Sequence, residues 1–245
     1  MEDEDRALLR RQPPEASLEL VDRVYAALHA KDGAALRALA ADGAQHSVYY
    51  TDGVTGSEVT SFVAAEFDLE HDPLQDVTRH GEPLVVGDLV VVPDAFTYAT
   101  EVDTGFDMFV VTHVPGGLLV GQAATFYGKP GLAIDPNAIA TIEAETAAWN
   151  MADTEAVLAT MTSDAAFWEG LAGSTRTIHS GAGLKTFIEE SSWFDVTITG
   201  PPVISGVFVA VPNRLSAGSD TSEGISLYDI RNGKIALQVH LNGTP

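Results

Sequence analysis

The chain is one design written twice, and this constrains its fold more than any other feature. Asp76-Val77-Thr78 runs through Gly81, Pro83 and Gly87 to Val90-Val91-Val92-Pro93. Asp195-Val196-Thr197 runs through Gly200, Pro202 and Gly206 to Val209-Ala210-Val211-Pro212. The offset is 119 positions throughout this stretch, without a gap and with about half of the residues identical. Ala26, Ala27 and Asp32 match Ala147, Ala148 and Asp153 at an offset of 121, and Leu36, Leu39 and Asp42 match Leu158, Met161 and Asp164 at 122. Gly56 and Phe62 match Gly181 and Phe187 at 125, Gly105 and Phe109 match Gly224 and Tyr228 at 119, and Gln122 matches Gln238 at 116. The offset changes where loops are expected. Each half is then a domain of ordinary size, and each serves as a control for the chemistry of the other.

Composition narrows the function. The 245 residues hold no apolar run approaching the ~20 of a membrane span. The leading Met1-Glu2-Asp3-Glu4-Asp5 is acidic where an export signal is basic and then apolar, so a cytoplasmic protein is expected. With no cysteine, disulfides, thiol nucleophiles and thiolate metal sites are excluded. A net charge of −22 repels phosphate backbones and anionic lipid, so neither nucleic acid nor membrane is an expected partner.

The patterning predicts an acidic, Pro-containing disordered tail over 1–16, a domain over 17–127, a linker over 128–136 and a second domain over 137–245. Ser17 is placed to cap a helix carrying Leu18, Val21, Val24, Tyr25 and Leu28 on one face; Asp32 caps a second helix, and a third is expected around 58–66. From Val77 the period switches to two, through segments such as 89–92, 106–111 and 118–126 separated by Gly and Pro turns. Asp135-Pro136 is a helix start signal, and helices at 137–151, 153–161 and 181–190 followed by strands repeat the plan. The fold class is α+β, with helices first and an antiparallel meander after them in each half.

Three features carry a resemblance. They are the acidic caps Asp32 and Asp153, the step Asp164-Ala165-Ala166-Phe167-Trp168-Glu169 into a first strand, and the hairpin Tyr228-Asp229-Ile230-Arg231-Asn232-Gly233. The chain resembles the SnoaL-like, ketosteroid-isomerase-like branch of the nuclear transport factor 2-like superfamily, over about 17–127 and 137–243. The resemblance implies two tandem cones, each a curved, mostly antiparallel sheet around three helices, joined as an intramolecular pseudo-dimer that is itself a monomer or a homodimer. It implies acid–base work by pocket carboxylates on an apolar small molecule of polyketide or terpenoid type, without metal or organic cofactor. The fold also hosts binding proteins without turnover, so a non-catalytic ligand-binding or scaffold role stays open. Tandem polyether epoxide-opening cyclases have a similar architecture. The strand Arg-x-Asp of limonene-epoxide hydrolases is absent, Arg231-Asn232 preceding a turn glycine instead.

The catalytic candidates follow from that resemblance and from the repeat. Glu169, just after the Asp-Ala step, faces Ser47 at an offset of 122, and Glu145 faces Val24 at 121, so both acids are expected only in the second half. Asp195 matches a second cyclase acid in position, but Asp76 repeats it, which reads equally as a strand cap. His240 shares a strand face with Gln238. Trp149, Trp168, Gln238, Tyr228, His46, Tyr50 and Asp107 are candidate substrate contacts, with aromatic core filling as the alternative for the rings. The cluster Asp68, Glu70, His71 and Asp72 reads as a solvated loop, and no metal site is expected.

Overall fold

The computed structural model describes residues 14–63, 75–98, 101–171, 177–191 and 193–243. The first half comprises α1 (Pro14–His29), α2 (Gly33–Leu39), β1 (Ala40–Thr51), β2 (Gly56–Val63), β3 (Asp76–Arg79), β4 (Leu84–Val86), β5 (Leu89–Thr97), β6 (Val102–Val114) and β7 (Gly117–Gly128). The second comprises α3 (Ala138–Asn150), α4 (Thr154–Ala159), β8 (Met161–Leu171), β9 (Thr177–Ser180), α5 (Gly181–Ser191), β10 (Asp195–Ile198), β11 (Val203–Ser205), β12 (Phe208–Ala217), β13 (Asp220–Arg231) and β14 (Lys234–Asn242). Each half forms a seven-stranded sheet. The orders β2-β1-β7-β6-β5-β3 and β9-β8-β14-β13-β12-β10 are the same path, and β4 and β11 pair with β5 and β12. All pairings are antiparallel except β1 with β7 and β8 with β14. The α+β tandem architecture is therefore as expected.

The duplication reaches into the backbone. Asp32 and Asp153 each accept a hydrogen bond from the amide three residues on, at 2.9 and 3.0 Å. The residue before each cap, Lys31 and Ala152, is left-handed at φ 53° and 52°. Gly105 and Gly224 mark the same close approach in each sheet. A Cβ there would fall 1.7 Å from the Phe126 carbonyl oxygen and 2.4 Å from that of Leu241.

The runs Leu89–Val92 and Phe208–Val211 are apolar at every position because both faces of the sheet are covered. On β5, Val90 and Val92 face the first half's helices, in a core with Leu20, Val21 and Tyr25. Val209 and Val211 of β12 do the same with Ile142, Trp149 and Ile188. The alternate residues, Leu89 and Val91 with Phe208 and Ala210, meet in a third core where the two sheets pack on each other. Tyr49, Phe126, Trp168 and Phe208 form its aromatic centre, with Tyr49 and Trp168 edge to face at 5.7 Å. A buried polar group sits beside it: Arg231 pairs with Asp229, the Tyr49 hydroxyl donates to Asp229 at 3.0 Å, and Arg231 reaches the Val54 carbonyl at 2.9 Å.

Three expectations are corrected. α1 starts at Pro14, whose fixed φ suits a first helical position, so Ser17 lies buried inside the helix and caps nothing; residues 1–13 lie outside the described residues. The helix expected around 58–66 is strand β2 up to Val63, with 64–66 outside the described residues. Asp52 tightens the turn from β1 by accepting from Val54 and Thr55 at 2.8 and 2.6 Å, so the chain returns at once along β1. Its partner in the repeat is therefore β9, and the match of Gly56 to Gly181, where α5 begins, is not structural. The second half does carry three helices.

Candidate active site

The cone of the second half encloses a cavity of about 720 Å³. One wall is aromatic, with Trp149 from α3, Phe167 from β8, Phe187 from α5, and Trp193 and Phe194 ahead of β10. Another is polar, built from Ser226 and Tyr228 of β13 and Gln238, His240 and Asn242 of β14. Alternation explains the membership. On β14, Gln238 and His240 point inward while Leu237, Val239 and Leu241 enter the core between the halves.

Glu145 is the acid in the deepest position, 1% exposed on the inner face of α3. The Trp149 indole N–H, one helical turn on, donates to its Oε1, and the Tyr228 hydroxyl donates to Oε2 at 3.4 Å. Gln238 Nε2 donates to the Tyr228 hydroxyl at 3.2 Å, while Gln238 Oε1 is buried without a partner. Burial raises the Glu145 pKa, and the bonds from Trp149, Gln238 and Tyr228 only partly oppose it, leaving it at about 7. All three donors are neutral, so no positive charge holds this carboxylate in its ionised form.

Glu169 stands farther out, with its side chain 44% exposed, and its Oε2 lies 3.1 Å from His179 Nε2. The His179 ring stacks on Phe187 at 4.1 Å. His240, opposite Glu169 on the neighbouring strand, is buried, and loss of hydration pushes its pKa below the usual histidine value; Asn242 and the nearby Glu169 charge act the other way. Gln238 and His240 are two residues apart on one face, about 7 Å along the strand. The Glu145 cluster and the Glu169 pair thus flank one stretch of wall.

Of the expected residues, the cavity brings together Glu145, Glu169, His240, Trp149, Tyr228 and Gln238. Trp168 is not with them; it points the other way, into the core between the halves. Asp195 opens β10 in an exposed position outside the cavity lining, in keeping with a strand-end role. His46, Tyr50 and Asp107 belong to the first half. Tyr50 packs against Tyr127, with ring centroids 5.4 Å apart and planes tilted by 58°. The metal-like cluster 68–72 lies outside the described residues.

The first half buries acids as well, Asp107, already a candidate from the sequence, and Asp94. The Tyr25 hydroxyl bridges Asp94 and Asp107, at 3.4 Å to the latter. Thr125 donates to Asp107 at 2.6 Å and lies 3.2 Å from His46 Nε2. Burial raises both carboxyl pKa values, and Asp107 raises that of Asp94 further, so the pair retains a proton near neutrality. His46 is driven down to about 4 by burial. Asp94 and Tyr25 went unrecognised as site residues, although Asp94 stands against Asn213, and Asp107 against Ser226, at the offset of 119.

The ladders also correct the pairing of the halves. Asp107 pairs with Thr125 and Ser226 with His240, so Thr125 and His240 are equivalent. Thr125 pairs with Val48 and His240 with Glu169, making Val48, not Ser47, the counterpart of Glu169. By the same reasoning Gln238 corresponds to Ala123, not Gln122. A shift of one residue in a strand exchanges its faces, and Trp168, next to Glu169 on β8, accordingly faces away from the pocket.

Among the described residues, no group of three or more His, Asp or Glu is placed to hold a metal ion, and no helix is long and apolar enough to cross a membrane. No family model and no curated protein sequence matches the chain. The solved structures similar to it include nuclear transport factor 2-like (NTF2-like) proteins. An NTF2-like protein of unknown function from Cytophaga hutchinsonii is 14% identical over 46% of this chain and 93% of its own, with a TM-score of 0.37. An LEH-like epoxide hydrolase from M. tuberculosis is 20% identical over 43% of this chain and 82% of its own, with a TM-score of 0.36. A protein from Kribbella flavida, provisionally assigned as a ketosteroid isomerase, is 18% identical over 43% and 77%, with a TM-score of 0.37.

Proposed function

We propose that the second half is an acid–base catalyst acting on an apolar small molecule of polyketide or terpenoid type, by isomerisation, cyclisation or epoxide opening. The observation that carries this reading is Glu145, a carboxyl group with a pKa of about 7, held by neutral donors in the wall of a cavity large enough for such a ligand. A group titrating near neutrality has comparable acid and base populations, so it can take a proton and return it within one turnover. As a base, Glu145 removes a proton from a carbon beside a carbonyl, or from a hydroxyl nucleophile. Trp149 N–H and Tyr228 O–H hold its charge before the proton is taken and after it is returned. Glu169, with His179, supplies the second proton-transfer group nearer solvent. The free acceptor Gln238 Oε1 fits a hydroxyl on the bound molecule.

The test begins with mass spectrometry of small molecules retained by the purified protein, followed by turnover assays on the molecule found. Glu145→Gln should bind it and lose at least ~100-fold in rate, the usual scale of a general acid–base group. Unchanged turnover in that variant refutes the assignment. A ligand that wild-type protein returns unaltered favours the binding-protein reading.

A further inference from the structure

The polar wall contains an arrangement that the Glu145 reading does not use. Ser226 Oγ lies 2.9 Å from His240 Nδ1, and His240 Nε2 lies 3.0 Å from Asn242 Oδ1. The hydrogen bonds fix the protons. Asn242 Oδ1 is an amide oxygen, an acceptor only, and also accepts from Ser222 at 2.7 Å. His240 Nε2 therefore carries the hydrogen, Nδ1 is bare, and the Ser226 hydroxyl must donate to it. Asn213 Nδ2 donates to Ser226 Oγ at 2.8 Å, so the remaining hydrogen-bonding capacity of the hydroxyl is also oriented. Ser222, Ser226, His240 and Asn242 all line the cavity.

We infer that Ser226, His240 and Asn242 form a nucleophilic triad that accepts an acyl group from an ester bound in the cavity. The order is nucleophile, base and orienting amide, each within hydrogen-bond reach of the next. Ser226 Oγ bonds to the carbonyl carbon as its proton passes to His240 Nδ1. The ester C–O bond breaks, and the alcohol leaves with that proton. Water repeats the sequence on the seryl ester, giving the acid and restoring Ser226, so the sum is ester plus water to acid plus alcohol. Burial keeps His240 neutral, the form a base requires. The first half provides the contrast. Its equivalent rung pairs Asp107 with Thr125, and Asp94 replaces Asn213, so a carboxylate stands in the place of the nucleophile and a hydroxyl that donates to it in the place of the base.

The test is labelling of the full chain with a short-chain alkyl fluorophosphonate, read by intact mass and peptide mapping. Reaction forms a bond from Ser226 Oγ to phosphorus and releases fluoride, with the proton passing through His240. The expected result is one adduct, on Ser226, at a rate nearly constant from about pH 7 to 9 because the base is already neutral. Unfolded protein should take up none, and His240→Gln should slow labelling at least ~100-fold. No adduct on Ser226 after prolonged exposure, or an adduct elsewhere, overturns the inference. The wild-type protein alone decides this, so a variant that fails to fold cannot obscure the answer. Labelling requires no proton transfer by Glu145, whose role has its own test.

Discussion

Glu145→Gln should make the second half more stable at neutral and alkaline pH but not in acid. In the unfolded chain this carboxyl titrates near 4.5, whereas in the folded cavity it titrates near 7. Between those values the folded state holds a proton that the unfolded state has released, so stability falls as pH rises through this window. At roughly 1.4 kcal/mol per pH unit the full loss is about 3 kcal/mol, complete above pH 7 and absent below 4.5. Glutamine has no charge to desolvate, so the variant lacks this slope. Other titrating groups cancel when the two proteins are compared at each pH. Urea unfolding followed by tryptophan fluorescence suits the measurement, because Trp149, Trp168 and Trp193 all lie in the second half. The stability difference, variant minus wild type, should grow by about 3 kcal/mol from pH 4.5 to 8. A difference that stays flat over that range would show that burial does not hold the proton on Glu145, and the argument for its chemistry would fail with it.

Further predictions address the rest of the molecule. Asp229→Asn strands Arg231 in the buried contact between the halves and should cost about 3–5 kcal/mol in denaturant unfolding; a loss below 1 kcal/mol refutes a buried, uncompensated cation. Tyr49→Phe removes a buried hydroxyl that serves both Asp229 and Arg231, with an expected loss of about 1–3 kcal/mol by the same assay. In the first half, Asp94→Asn should flatten the decline in stability as pH rises above the ordinary carboxylate range, since burial raises both carboxyl pKa values and Asp107 raises that of Asp94 further. An unchanged pH profile would contradict the coupling. Gly105→Ala should destabilise the first half by several degrees in Tm, because its Cβ meets the Phe126 carbonyl at 1.7 Å and backbone cannot yield as a side chain can.

The repeat made the architecture readable because its strongest segments are those buried on both sheet faces, where substitution is most constrained. Glu145 and Glu169 were likewise legible, as residues that break the repeat, and His240 by the strand face it shares with Gln238. What escaped followed from register. Counting offsets along the sequence placed Glu169 against Ser47, and only the ladders reveal the one-residue difference; Trp168, adjacent to Glu169 on the same strand, faces the other way into the core between the halves. The first half's acid pair escaped because Asp94 follows an apolar run and reads as its end, whereas alternation carries it inward to Tyr25. Strand β2 escaped because helix α5 of the second half was taken as its template; the Asp52 turn was the local signal to the contrary.

The proposed function requires that a buried carboxyl group in the cavity of the second half move protons at neutral pH. Carbon-13 NMR titration of the Glu145 side-chain carboxyl, assigned through Glu145→Gln, tests it most directly. The expected midpoint is near 7. A midpoint near 4.5, the value of a solvated glutamate, would contradict it.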